Sequence, residues 1–244
     1  MEIKNLKVLG ERAAEILFPR KCPLCLKVLD EAEKMICKDC YKKISFTKEP
    51  LCMKCGRPLK SEEEEYCPSC QGYSGKIYFD KGVSLMIHDE SAKKLLYDLK
   101  YSNIRENAKF LAREFVRKKY KEVLSWKADA IIPVPLHKKR YKKRGFNQSE
   151  LLANELAKYF KIAVDSANLL RCVDTIPQKE LDKSKRKKNI ENSFKFLDNI
   201  VKYKYAILVD DIFTTGTTIN ECAKVLKKSG VENVYFITMS IVSE

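Results

Sequence analysis

The sequence predicts an α/β domain, a parallel sheet with helices on both faces, preceded by a small module organised by paired cysteines. Three observations predict this. Residues 203–208 (YKYAIL) are a mostly apolar run that reads as a buried strand; two acids, a Thr/Gly turn and an apolar pattern of helical period (Ile219, Cys222, Ala223, Leu226) follow it. Upstream, strand-like residues 83–87 and 130–134 alternate with amphipathic helical patterns at 91–100 and 106–120, as strand–helix units of a parallel sheet do. Eight of the ten cysteines fall in four Cys-x-x-Cys pairs: Cys22/Cys25, Cys37/Cys40, Cys52/Cys55 and Cys67/Cys70. The chain therefore divides into residues 1–75 and 76–244.

Adding 30 to the positions of the first two cysteine pairs gives the second two, so the module is an internal repeat. Each pair presents two thiolates from one tight turn, and two turns complete a tetrahedral zinc site. Gly56, after Cys55, suits the left-handed position that ends such a knuckle. Four thiolates per ion leave no open position, so the reading is two structural zinc ions folding a segment too short for its own core. A disulfide framework needs an oxidising compartment that nothing in the sequence supports, and a redox Cys-x-x-Cys occurs once rather than in a repeat. The repeat favours pairing within each unit; a cross-braced arrangement also fits the spacing. Cys172 and Cys222 stand alone in apolar surroundings and are expected in or near the core.

The segment VDDIFTTGTT (209–218) carries the candidate site. Asp210 and Asp211 sit at the carboxyl end of the strand, where open α/β sheets bind ligands. The turn of small residues enters a helix whose first backbone N–H groups lack partners and carry partial positive charge. Gly216 permits close approach, and Thr214, Thr215, Thr217 and Thr218 add hydroxyl donors. This is a cradle for a phosphate dianion. The neighbouring acids repel phosphate but hold a sugar diol or hydrated magnesium. The two together describe a ribose 5-phosphate. No Gly-Lys-Ser/Thr string occurs, so a Walker-type nucleotide site is disfavoured.

Charge points to polyanionic partners. The formal net charge is +15, beyond what solubility requires. Residues 133–136 (PVPL) end a strand, and the following loop, HKKRYKKRG at 137–145, has six cations in nine residues. At a strand's carboxyl end it suits pyrophosphate: Arg140 and Arg144 as bidentate grips, and Lys138, Lys139, Lys142 and Lys143 as point charges. A solvated loop, or one on nucleic-acid phosphates, is the alternative. His137 has a surface or loop role. Asn147 caps a helix with Leu151, Leu152, Leu156 and Tyr159 as its apolar face. The basic stretch 177–189 reads as a lid closing over an anion or as an exposed charged helix. Tyr97, Tyr101, Tyr141 and Phe146 lie among the lysines and can stack bases. A helix over residues 3–18 packs on the cysteine module or lies on an anionic membrane. No apolar run approaches the roughly 20 residues that span a bilayer, and the start does not read as a secretory signal, so a cytoplasmic protein is expected.

The motif VDDIFTTGTT resembles the phosphoribosyl-pyrophosphate (PRPP) motif of the type I phosphoribosyltransferases. More of the chain resembles the ComF-type competence proteins. The marks are the cysteine pairs after Phe-Pro-Arg (18–20), Lys100-Tyr101, IPVPLHKKRYKKRGFNQ (132–148), and the spaced Arg171, Thr175, Gln178, Leu181, Arg186, Asn189 and Phe194. The resemblance implies a type I phosphoribosyltransferase-like core behind a double zinc ribbon, with PRPP and magnesium as ligands. The 5-phosphate would meet residues 214–218, the ribose and metal Asp210 and Asp211, and the diphosphate Lys138, Arg140 and Arg144. It implies a role in natural transformation, with cytoplasmic single-stranded DNA as a partner contacted by Lys139, Lys142, Lys143 and Arg186. A competence helicase or membrane channel would be a further partner, placing the protein near the inner face of the membrane. Ribosyl transfer is the implied reaction; a non-catalytic PRPP sensor or a structural adaptor are the alternatives.

Overall fold

The computed structural model describes residues 19–30, 35–73, 75–173, 193–197 and 203–243. They gather into two compact units, Met1–Ile44 and Ser45–Glu244. The elements are α1 (Lys38–Lys42), α2 (Pro68–Gln71), β1 (Lys81–Ile87), α3 (Glu90–Tyr101), α4 (Glu106–Ser125), β2 (Ala130–Pro133), α5 (Lys138–Arg144), α6 (Gln148–Phe160), β3 (Ala163–Val164), β4 (Leu169–Arg171), β5 (Phe194–Phe196), β6 (Tyr205–Phe213), α7 (Thr217–Lys228) and β7 (Asn233–Ile241). Five strands form one sheet in the order β1-β7-β6-β2-β3, and every pairing in it is parallel. β4 and β5 make a separate antiparallel pair.

The apolar runs explain the layering. Ala206, Ile207, Leu208 and Val209 of β6 are fully buried, as expected of a parallel strand covered on both faces. α7 lays Ile219, Cys222, Ala223 and Leu226 into the core, the four positions its sequence period marks. α3 starts where the Asp89 carboxylate accepts from the Ala92 amide at 2.9 Å. α6 starts at Asn147, whose side chain accepts from the Ser149 amide at 3.1 Å.

The second cysteine repeat is built into the sheet unit. Cys52, Cys55 and Cys67 belong to the same buried cluster as Ile132, Leu208 and Leu226. The Gly82 amide of β1 donates to the Lys54 carbonyl at 2.9 Å. Gly56 has φ +70°, and a Cβ there would stand 2.5 Å from the Gly82 carbonyl oxygen, so glycine is required on both counts. Residues 45–47 run along β1, with Phe46 opposite Met86 and the Thr47 hydroxyl donating to the Ser84 carbonyl at 2.7 Å. The sequence reading divides the chain at 75/76; the described residues from Ser45 onward form the unit that holds the sheet.

Several local expectations change. The basic segment after Pro133 is a helix, α5, not a loop. Lysine and arginine are good helix formers, His137 caps the start by accepting from the Lys139 amide, and Gly145 ends it at φ +79°. β6 continues through both aspartates to Phe213, because Asp210 and Ile212 still pair with β7. On α6 Leu152 and Leu156 are buried as expected and Leu151 half-buried, but Tyr159 is exposed and Phe160 is buried in its place. Cys172 is exposed rather than near the core, beyond the end of β4; Cys222 is buried as expected. The helix expected over residues 3–18 and the basic stretch 177–189, with Arg186, lie outside the described residues.

Gly82 has no room for a side chain, since a Cβ would fall 2.0 Å from the Phe236 ring. Gly82→Ala is expected to destabilise the sheet unit by roughly 1–3 kcal/mol through overpacking. A shift of the urea midpoint checks this; an unchanged midpoint contradicts it.

Candidate functional site

Strand order locates the site. The chain leaves β2 for β3 on one side, whereas it leaves β6 for β7 on the other, so connections diverge between two adjacent strands. Such a switch point leaves a crevice at the carboxyl ends of the strands. A cavity of about 240 Å³ lies there, lined by residues that include Lys100, Tyr101, Arg140, Arg144, Gln148, Arg171, Asp210, Asp211, Thr214 and residues 216–218.

One wall is the turn after β6. Gly216 takes φ +76° and caps α7. Its missing side chain leaves space for the Phe213 ring, 2.7 Å from where a Cβ would sit. The turn is therefore drawn tightly over Phe213, with the helix N-terminus at the crevice. Thr214, Thr217 and Thr218 line the crevice together with Gly216. Thr215 does not: its hydroxyl hydrogen-bonds that of Thr217 at 2.9 Å, and it lines a small void on the ribbon side.

The acidic pair forms the floor and is held by helix ends. Ser149 Oγ donates to Asp210 Oδ1 at 2.9 Å, as does the Asp211 amide at 2.9 Å. Gln148 Nε2 donates to Asp211 Oδ1 at 3.1 Å, and Lys100 Nζ forms a salt bridge with Asp211 Oδ2. Burial and the adjacent Asp211 charge push the Asp210 carboxyl well up from the ordinary range. Burial acts the same way on Asp211, but the Lys100 charge and the Lys100 and Gln148 hydrogen bonds outweigh it and hold Asp211 below that range. Arg144 donates to Gln148 Oε1, and its guanidinium lies 5.0 Å from the Tyr101 ring centre. One network thus runs from α5 through α6 to the strand end.

α5 sorts its cations. Arg140 and Arg144 reach the crevice; Lys138, Lys139, Lys142 and Lys143 are not among its lining residues. Sequence reasoning places Lys100, Gln148 and Ser149 in a helix cap or in the family's marks and gives them no role beside the acids. The signal was present in the adjacent strings Lys100-Tyr101 and Asn147-Gln148-Ser149, but only the fold brings them to the acids. Arg171, at the end of β4, also enters the lining.

The cysteines form two clusters, Cys22, Cys25, Cys37 and Cys40, and Cys52, Cys55, Cys67 and Cys70, each with its sulfurs within 4.8 Å of one another. Pairing is sequential within each repeat. Cys25 and Cys37 Sγ stand 3.7 Å apart, and Cys55 and Cys67 Sγ 3.6 Å. That is the ~3.8 Å edge of a tetrahedron with ~2.3 Å zinc–sulfur bonds, and far beyond the ~2.05 Å of a disulfide. Both clusters fit a closed, structural zinc site.

A phosphoribosyl transferase domain model matches residues 100–240, which contain the entire crevice. The chain belongs to the phosphoribosyl transferase family. A double zinc ribbon domain model matches residues 13–71, the segment holding both cysteine clusters. The sheet, crevice and two four-cysteine sites are those of a double zinc ribbon joined to a phosphoribosyltransferase domain. Among curated proteins the chain is similar to competence protein F of Haemophilus influenzae, 39% identical over 108 residues, 43% of this chain and 47% of that one. It is similar to DNA utilization protein YhgH of Salmonella typhi, 35% identical over 159 residues, 62% of this chain and 68% of that one. It is also similar to competence protein ComFC of Streptococcus pneumoniae, 33% identical over 132 residues, 52% of this chain and 51% of that one. The match spans about half the length of the Haemophilus and Streptococcus relatives.

This phosphoribosyltransferase-family protein is expected to carry two zinc ions per chain. Cys55→Ser should lower the count to one and reduce the thermal stability of the sheet unit, because Cys55 is fully buried in its core. Metal analysis of the purified variant checks this; two retained ions would contradict the ligand assignment.

Proposed function

We propose that this protein binds PRPP in the crevice between β2 and β6 and acts in DNA uptake, handling single-stranded DNA in the cytoplasm. The observation that supports it most is the junction of an amide-rich helix start with a half-buried and a buried aspartate, Asp210 and Asp211, at the switch point, faced by Arg140 and Arg144. The amides and hydroxyls of Thr217 and Thr218, with the Gly216 amide, receive the 5-phosphate. The ribose hydroxyls face Asp210 and Asp211. Arg140 and Arg144 take the diphosphate, and Lys138, outside the crevice lining, adds charge from the start of α5. Asp211 is already neutralised by Lys100. A magnesium ion therefore fits best with the ligand's diphosphate and Asp210, whose oxygens suit a hard cation, where it would offset the leaving group's charge. Transfer of the ribosyl 5-phosphate to an acceptor is the family's chemistry. Binding without transfer is the alternative, and pyrophosphate release on a panel of bases separates the two.

The DNA role draws on the names of the competence and DNA utilization relatives and on α5. Lys139, Lys142 and Lys143 stand outside the crevice, and the same surface carries exposed Tyr97, Tyr101 and Tyr141. Cations tracking phosphates beside aromatic platforms are how unspecific single-strand sites work. Among the described residues no helix is long and apolar enough to cross a membrane. Association with the inner membrane face would run through a partner such as a helicase or channel protein.

Calorimetric titration with PRPP and magnesium should show saturable binding, and Asp211→Asn should weaken it at least tenfold. No heat with the wild-type chain, or no change in the variant, contradicts the site. The double charge reversal Lys142→Glu, Lys143→Glu should weaken single-stranded DNA binding and flatten its salt dependence by about 1.4 units of log–log slope, ~0.7 per phosphate contact on a single strand. An unchanged slope removes α5 as the DNA contact.

A further inference from the structure

The second zinc ribbon reaches beneath the turn after β6 through one side chain. Arg57 follows the knuckle glycine Gly56 and is 2% exposed, an unusual place for a guanidinium. Its Nη2 donates to the Thr214 carbonyl oxygen at 2.7 Å. Its Nη1 lies 3.9 Å from Sγ of Cys67, a ligand of the second zinc site. Its Cζ lies 6.0 Å from the centre of the Phe213 ring. Arg57 thus spans from a metal-site sulfur to the first residue of the turn.

A buried guanidinium is costly unless its hydrogen bonds and charge are answered. Here a carbonyl oxygen and a thiolate cluster answer its two terminal nitrogens, the latter because four thiolates around one divalent ion keep a net negative charge. The bond to Thr214 has a directional consequence. The peptide unit is planar and trans, so the Thr214 carbonyl and the Thr215 N–H point in opposite directions. Fixing the carbonyl toward the ribbon therefore turns the Thr215 N–H away from it. The residue before the turn is fixed as well, since Phe213 stacks on Phe236 at 4.7 Å and meets Phe79 edge-on at 6.1 Å. Aromatic packing holds one side of the turn and Arg57 the next peptide.

We propose that Arg57 is a positioning residue for this turn, so that the second zinc ribbon sets the conformation in which the crevice holds an anion. The anion itself rests on the PRPP reading above; the positioning of the turn does not. Arg57 is not among the residues that line the crevice and acts through the Thr214 peptide. The ribbon is then part of the binding apparatus rather than an appended domain.

The test uses the full chain as wild type, Arg57→Met and Arg57→Lys. Zinc content and thermal unfolding are measured first, then amide hydrogen exchange over residues 213–219, then titration with PRPP and magnesium and with inorganic phosphate. Arg57→Met should keep both zinc ions, yet exchange in the turn should accelerate at least tenfold and affinity for both probes should fall at least tenfold. Arg57→Lys, which retains a donor and the charge, should lie between. Wild-type exchange and affinity in a zinc-replete Arg57→Met chain would overturn the proposal. Should Arg57→Met lose zinc or fail to fold, the comparison rests on Arg57→Lys, and wild-type exchange there overturns it equally. A wild-type chain that binds neither probe refutes the PRPP reading alone, because exchange without ligand still decides the role of Arg57.

Discussion

Two adjacent carboxylates at the end of a buried strand repel each other in a medium that screens charge poorly, and much of the molecule's architecture answers that problem. Lys100 arrives from the last turn of α3, and Gln148 and Ser149 from the first turn of α6. Each helix end is pinned in turn, α6 by the Asn147 cap and α3 by its packing in the core. The outcome is asymmetric. Asp211 is compensated and kept ionised, while Asp210 is raised by burial and by its neighbour. A ligand whose hydroxyls donate to these oxygens relieves the same repulsion, which gives the acids a reason to stand at a binding crevice rather than in a solvated loop.

The second constraint comes from the turn that follows. A phosphate cradle made of backbone amides works only if the backbone is held, because its donors are not side chains that can adjust. Gly216 supplies the required φ, the Phe213–Phe236–Phe79 cluster supplies a rigid base, and the ribbon contributes the buried guanidinium of Arg57. The two cysteine repeats are alike in sequence, but the second one shares its core with β2, β6 and α7. One of the two cysteine repeats thus serves as a wall of the sheet unit.

Much of this was legible in the chain. The thirty-residue cysteine period announced two metal clusters, and the packing of sulfurs chose sequential pairing. The run from 203 to 228 announced strand, acids, turn and helix, because apolar period, glycine and threonine all agree there. The segment 138–144 reads as a loop because cations follow a proline-broken strand, while the cap at His137 and the glycine at 145 make it a helix. Arg57, Lys100 and Gln148 escaped assignment for a common reason: each is distant in sequence from the residue it supports, and periodicity carries no information about such pairs. Cys172 departs from its expected place near the core, since apolar neighbours in sequence do not guarantee burial at the end of a short strand.

The central claim is that a ribosyl phosphate docks where the start of α7 meets the paired acids. Diffraction from crystals soaked in ribose 5-phosphate tests it most directly, because that compound lacks the diphosphate and isolates the two groups in question. Density should place the phosphate within hydrogen-bond reach of the Gly216, Thr217 and Thr218 amides and the sugar hydroxyls against Asp210 and Asp211. Sugar phosphate bound elsewhere, or a crevice without it at saturating concentration, would contradict the claim.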